Sequence, residues 1–238
     1  MASEVTAVQK TGEYPEPLMI SEEDYRRHIV MQVYNQLTVN ETRLFMVGVD
    51  RLQRTVCGQE VHIPAAELVG YFGGNKGYYS ELGKVCEKLS KRSLMVRGRT
   101  QPVFSYIRFS GKDEGLYMHF NPAVVQKLLL DYQTSFLKEA FRLKSIYAIR
   151  LLEFLHHYID SPGLMGSKAI AIQLGLEDFK RYLGVPNTST YLQITNIINK
   201  IINHSLQAIH QNTGYRISYK VIKEKRRVTG FLFAMQLS

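Results

Sequence analysis

The stretch Thr190–Leu237, TYLQITNIINKIINHSLQAIHQNTGYRISYKVIKEKRRVTGFLFAMQL, decides how this chain folds. Its first half reads as one long amphipathic helix. Tyr191, Ile194, Ile197, Ile201, Ser205 and Ile209 recur at steps of three and four, so they share one face. Thr190, Gln193, Thr195, Asn196, Asn199 and Lys200 occupy the remaining surface. That set is polar and uncharged but for one cation, the chemistry that reads base edges and grips phosphates. The second half reads as two strands, Tyr215–Ile222 and Val228–Leu237, flanking Lys223, Glu224, Lys225, Arg226 and Arg227. A polar helix followed by a cationic β-hairpin suits a module that lays the helix in a major groove and the hairpin along the backbone.

Reading outward, the same order recurs. Upstream of the helix, Leu176–Leu183 forms a short helix that buries Phe179 and Leu183 and stops at Gly184. In the first half, Ala65–Phe72 is a short helix following Pro64 and ending at Gly73-Gly74. Tyr78–Arg92 is the polar-faced helix, with Leu82, Val85, Cys86 and Leu89 inward. Strands Leu94–Arg97 and Val103–Phe109, separated by Gly98-Arg-Thr-Gln-Pro102, form its hairpin, which Leu116–Phe120 joins. A first helix spans Glu22–Gln36. Thr38-Val-Asn-Glu41 has capping-box spacing for the next, whose buried face holds Leu44, Phe45, Val47 and Leu52. Val61–Ile63 is a short strand, and Asn121-Pro122 opens a helix reaching about Tyr132. The fold class expected is α+β: two tandem winged-helix domains, 21–144 and 168–238, joined by a long helix. The joining helix, Ser145–Ile159, leads into a Pro/Gly hinge that closes the 145–167 segment. Residues 1–20, polar and carrying Pro15 and Pro17, read as a flexible arm.

Charge supports a polyanionic partner. The net charge is +9, but residues 1–24 hold six acids against Lys10 alone. The rest carries 29 bases against 15 acids, a surplus of +14. Catalytic patterns fail on inspection. Ser135-Phe-Leu-Lys138 and Lys10-Thr-Gly12 stand in the wrong order for an acyl-enzyme. Gly73-Gly-Asn-Lys-Gly77 lacks the Gly-Lys-Ser/Thr that cradles phosphate. His156-His157 are adjacent, so on a helix they diverge by about 100° and suit no nicking metal centre. Cys57 and Cys86 lack a Cys/His cluster, and Cys86 sits at a packing position. No catalytic residue, cofactor or metal is therefore expected. No apolar run approaches the roughly 20 residues that span a bilayer, and no signal-peptide core opens the chain, which points to a cytoplasmic setting away from membranes.

These residues resemble the iteron-binding plasmid replication initiators. The likeness rests on Ser145-Ile-Tyr-Ala-Ile-Arg150-Leu-Leu-Glu-Phe-Leu155 and Leu176-Glu-Asp-Phe-Lys-Arg-Tyr-Leu183-Gly184, then Tyr191 with the spaced isoleucines. Val221-Ile-Lys-Glu-Lys-Arg-Arg-Val-Thr-Gly230-Phe-Leu-Phe233 closes it, and Leu37-Thr-Val-Asn-Glu-Thr-Arg43-Leu resembles the family's early helix start. The likeness spans residues 20–238. It implies two winged-helix domains that bind double-stranded DNA carrying direct repeats at a plasmid origin. It further implies melting of neighbouring AT-rich DNA and recruitment of the host initiator and replicative helicase. A homodimer that represses its own promoter is also implied. The chain departs at Ile197-Ile198-Asn199-Lys200, where the family often carries more cations.

The candidate DNA contacts follow from both lines. Gln193, Asn196 and Lys200 are assigned to the groove, while Asn199 could point either way. Lys223, Lys225, Arg226 and Arg227 are assigned to phosphates. In the first domain Ser80 and Lys84 lie on the polar helix face with Lys88 and Lys91, which could equally form a solubilising stripe. Arg97 and Arg99 could grip phosphates or belong to a hairpin that builds a dimer sheet. The leading reading is a non-enzymatic replication initiator. Its nearer rival is a transcriptional repressor of the same fold; its more distant one is a DNA-nicking enzyme using a tyrosine.

Overall fold

The computed structural model describes residues 17–20, 37–55, 58–72, 77–96, 98–110, 114–131, 135–159 and 169–236. The expected helix Glu22–Gln36, most of the arm, and the Pro/Gly hinge lie outside them. In chain order the elements begin with β1 (Leu18–Met19), α1 (Val39–Arg54), β2 (Glu60–Ile63), α2 (Ala65–Phe72) and α3 (Tyr78–Ser90). Then come β3 (Ser93–Val96), β4 (Arg99–Pro102), β5 (Phe104–Phe109), β6 (Leu116–Phe120), α4 (Pro122–Asp131) and α5 (Leu137–Arg142). The remainder holds α6 (Ile146–Ile159), β7 (Ala169–Gly175), α7 (Leu176–Leu183), α8 (Ser189–Leu192) and α9 (Ile194–Asn196). A π-helical segment (Ile197–Asn203), α10 (His204–Asn212), β8 (Arg216–Glu224) and β9 (Arg227–Gln236) complete it. Two compact units result. The described residues within Glu23–Phe141 form one; those within Met1–Glu22 and Arg142–Ser238 form the other.

In the first unit the order is helix, strand, two helices and hairpins. The capping box forms as its spacing predicts. Thr38 N–H donates to Glu41 Oε2 (3.1 Å) and Glu41 N–H to Thr38 Oγ1 (3.4 Å). Glu41 is also held by the Arg92 guanidinium at 3.0 Å. Leu44 through Asp50 are all buried, so α1 is the unit's central helix. It crosses the sheet closely at Gly48, where a Cβ would stand 2.8 Å from Met118 Sδ. The sheet order is β2-β6-β5, all antiparallel, and Val61, Ile63, Leu116, Met118 and Phe120 line its inner face.

One expectation is corrected here. Val103–Phe109 does not pair with the strand after α3. That strand, β3, turns at Gly98 (φ 75°) and pairs with β4, a stretch whose sequence reads as a loop. The hairpin returning to the sheet is instead β5–β6. No residue of β4 is buried and Arg99–Pro102 carries no apolar alternation, so local patterning could not mark that stretch as the partner of β3.

The second unit repeats the order in the form α6, β7, α7, the α8-to-α10 segment, and the β8–β9 hairpin. Its sheet runs β1-β7-β9-β8. The helix expected to connect the halves is the first helix of this unit. Ala148–His156, Tyr158 and Ile159 are buried, and α6 packs on α7, α10 and β7. The arm is corrected at its end: Leu18 and Met19 pair in parallel with Ile172 and Gln173. Phe179 stacks on Phe233 (5.8 Å between centroids) and tilts against Phe231 (4.9 Å), which fastens α7 to β9. The α7 terminus is the one expected: Gly184 takes φ 63°, and Val185 N–H donates to Lys180 O at 2.8 Å.

Glu153 lies in the middle of α6's buried face, with Oε2 lacking a hydrogen-bond partner. Burial pushes its carboxyl well above the usual range, more than the nearby Arg150 pulls it down. The folded form therefore keeps its proton after the unfolded chain has lost it. Stability is full below the unfolded value near ~4.3 and falls, by about 1.4 kcal/mol per pH unit, until the folded value is passed. Glu153→Gln removes that loss. Its gain in Tm is expected to be larger at pH 8 than at pH 5, and equal gains at both would contradict the assignment.

Candidate DNA-binding surface

The segment assigned to the groove is not one helix. α8 ends at Leu192, and Gln193 adopts φ −84° and ψ 118°, an extended backbone. The helix restarts at Ile194 and widens into the π-helical segment from Ile197 to Asn203. Two side-chain hydrogen bonds hold the break. Asn196 Nδ2 donates to the Thr190 carbonyl (2.7 Å) and to Gln193 Oε1 (3.4 Å), tying both sides of the break together. Widened turns of this kind are rare and recur at functional sites. They account for the burial pattern: Ile197, Ile201, Ser205 and Ile209 are inward as expected, but Ile202 and Leu206 join them. Tyr191 and Ile194, expected on the same face, are only half-buried.

Gln193, Asn199 and Lys200 are exposed; Asn196 is half-buried. Asn196 spends its amide nitrogen on the protein, which leaves its Oδ1 for other work. Asn199 accepts from Asn203 Nδ2 at 3.3 Å. Asn203 in turn accepts from the Tyr219 hydroxyl on β8 at 2.9 Å, a bond that links the π-helical segment to the hairpin. The sequence singles out neither Asn203 nor Tyr219. Partner choice across 16 residues leaves no mark in local composition. Nor does it announce a cavity of about 400 Å³ beside α10, lined by Arg142, Lys144, Ser145, His204, Gln211 and Asn212.

The hairpin tip carries the charge. Glu224 pairs with Arg227, so Lys225 and Arg226 alone make the turn. Between Ile222 and Lys223 the register slips, leaving Thr229 as the extra residue on β9, and such bulges strengthen local twist. Lys223, Lys225, Arg226 and Arg227 are all exposed, and none has an ion pair among the described residues. Lys225 has φ 56°, the left-handed region that costs a residue with a Cβ roughly 1–2 kcal/mol. Lys225→Gly is expected to hold or raise the melting temperature while weakening DNA binding, measured on the same sample. A fall in melting temperature would show the lysine side chain to be structural.

In the first unit, α3 presents Ser80, Lys84 and Lys88 to solvent. Lys91 pairs with Glu87 at 2.7 Å, one turn away on the same surface. Arg99 is exposed at the start of β4, and Arg97 lies outside the described residues. Burial pushes the Cys86 thiol up to about 12, so it is a packing residue with negligible thiolate at neutral pH. No cluster of three metal-ligating side chains exists among the described residues, and no described helix is long and apolar enough to cross a membrane.

Residues 24–156 match the family described as Initiator Replication protein, WH1, and residues 175–235 match Initiator Rep protein, WH2. The chain belongs to the initiator replication protein family. Both winged-helix domains of the initiator are thereby accounted for, and initiation of replication is the activity the family name carries. The WH1 match runs into α6, a helix that packs on α7, α10 and β7. No curated protein matches the chain. Among solved structures, the initiator is similar to the Pi initiator protein crystallised with iteron DNA. That match has 14% identity and a TM-score of 0.72 over 89% of this chain and 96% of that one. A second is the WH1 domain of MSBI1.176, a replication protein isolated from a multiple sclerosis patient. It shows 20% identity and a TM-score of 0.37, covering 49% of this chain and 94% of that one. Domains 2 and 3 of RctB match at 11% identity and a TM-score of 0.45, covering 84% of this chain and 82% of that one.

Proposed function

We propose that this initiator binds directly repeated duplex DNA, iterons, at a plasmid origin, and that the second unit supplies the main reading surface. One observation carries the reading. The exposed polar residues Gln193, Thr195, Asn199 and Lys200 belong to the same unit as a tip whose four cations have no ion pair among the described residues. Gln193, Asn199 and Lys200 contact base edges and nearby phosphates; Asn196 positions Gln193 by holding the break. Lys223, Lys225, Arg226 and Arg227 grip the backbone. Ser80, Lys84, Arg97 and Arg99 add contacts from the first unit, and two linked units raise effective concentration on one repeat. The chain works in the cytoplasm without making or breaking covalent bonds. Binding strains the origin, host initiator and replicative helicase are recruited, and a homodimer represses the initiator's own promoter. The fold of the Pi initiator supports this reading.

The test begins by selecting bound fragments from random DNA. Arg226→Ala is expected to weaken all sequences alike, whereas Gln193→Ala changes the preferred sequence. An origin carrying the selected repeats should then depend on the initiator for plasmid maintenance. Repression without maintenance would make the protein a repressor, and nicked or covalently attached DNA would make it an enzyme.

A further inference from the structure

Leu192 is 69% exposed, the most exposed large apolar side chain among the described residues. It contributes almost nothing to the core, yet its position is closely held. Its N–H donates to the Thr188 carbonyl at 3.2 Å. On its other side lies the extended Gln193, fastened by Asn196. A flexible surface residue would need none of this. The neighbours Thr190, Gln193, Thr195 and Lys200 are exposed and polar, so Leu192 is a single apolar point on a hydrogen-bonding surface.

We propose that Leu192 is a specificity-determining residue that packs against the C5-methyl group of thymine in the major groove. The inference rests on the DNA-reading function proposed above. Leu192 closes α8 immediately before the reading segment restarts at Ile194, and it is the N-terminal end of a recognition helix that meets base edges. Among those edges the thymine methyl is the one apolar group, and every other feature there is a donor or an acceptor. A leucine at this place discriminates thymine from cytosine, which lacks the methyl, without using a hydrogen bond. Neighbouring Gln193 remains free to read the adjacent base by its amide.

The test uses the full chain and the duplex recovered by selection from random DNA. Thymidines are replaced one at a time by deoxyuridine, which removes the methyl and keeps the pairing. At one or two positions the wild-type protein is expected to lose about fourfold in affinity, the effect of returning one methyl's worth of apolar surface to water. Leu192→Ala, whose melting temperature should be unchanged, is expected to lose nothing further at those positions. Indifference of the wild type to every replacement overturns the proposal. So does a Leu192→Ala variant that keeps the wild-type sensitivity. Weakening by Leu192→Ala that is equal on thymine and uracil duplexes would also overturn it, and would point to a wedge between base steps or to a protein contact. Uracil indifference alongside tight, selective binding sinks only the Leu192 assignment; failure to enrich any sequence sinks the DNA-reading function with it.

Discussion

Removing the four tip cations together, as Lys223→Ala, Lys225→Gly, Arg226→Ala and Arg227→Ala, is expected to lower affinity for all duplexes by about a thousandfold at 0.15 M salt. Each cation seated on a phosphate releases a counterion and contributes about 0.9 to the slope of log affinity against log salt. Four therefore account for a slope change of about 3.6, so that the affinity difference itself vanishes on extrapolation to 1 M salt. Glycine is chosen at 225 because its φ of 56° is strained for any residue bearing a Cβ. The other three side chains are exposed, so the melting temperature should hold. The measurement is a salt titration of wild type and variant on one selected and one unrelated duplex. Parallel slopes would mean that the tip does not touch phosphate, and a loss confined to the selected duplex would make it a base reader.

Gly230→Ala is expected to destabilise the second unit by about 3 kcal/mol or more. A Cβ there would stand 2.2 Å from the Leu174 carbonyl oxygen and 3.3 Å from Gly175 Cα, both backbone atoms that cannot swing aside. Gly230 and Gly175 are cross-strand partners at the end of the β7–β9 pairing, directly before α7 starts. The bulge on β9 begins at the next pair, so the clash would disturb the hairpin's aim as well as the sheet. A fall of roughly 10–20 °C in the melting transition of this unit follows for a domain of about 100 residues. Gly83→Ala is the control. Gly83 is in the interior of α3, and nothing lies within 4 Å of the point where a methyl would stand. The change should therefore stabilise the first unit by up to about 1 kcal/mol. A Gly230→Ala protein that melts like wild type would show that β7 and β9 can separate at this point at little cost.

The features legible in the sequence were those set by local chemistry. Thr38 and Glu41 close a capping box because their spacing brings each side chain to the other's free N–H. Gly184 ends α7 because a left-handed residue is needed there. Ile197, Ile201 and Ile209 turn inward because apolar side chains at steps of three and four share a face. The cationic tip was equally visible, since a run of charges between two β-rich stretches cannot be buried. Family membership followed from the order of these features and is borne out by both winged-helix matches.

Local sequence thus sets where helices such as α1 and α7 start and stop, which side chains form most of each helix's inner face, and where positive charge collects. Each depends on neighbours within a few positions. Tertiary structure alone decided that β3 pairs with β4, that Leu18 and Met19 add a parallel strand beside β7, and that α6 is buried in the second unit. It also decided that the reading segment breaks at Gln193 and widens beyond Asn196. The physical reason is common to all of them. A polar stretch such as Arg99–Pro102 carries no strand pattern of its own. An asparagine offers the same amide to DNA, to a neighbouring helix or to its own backbone. The choice among such partners is made by hydrogen-bond geometry and burial once distant segments have come together.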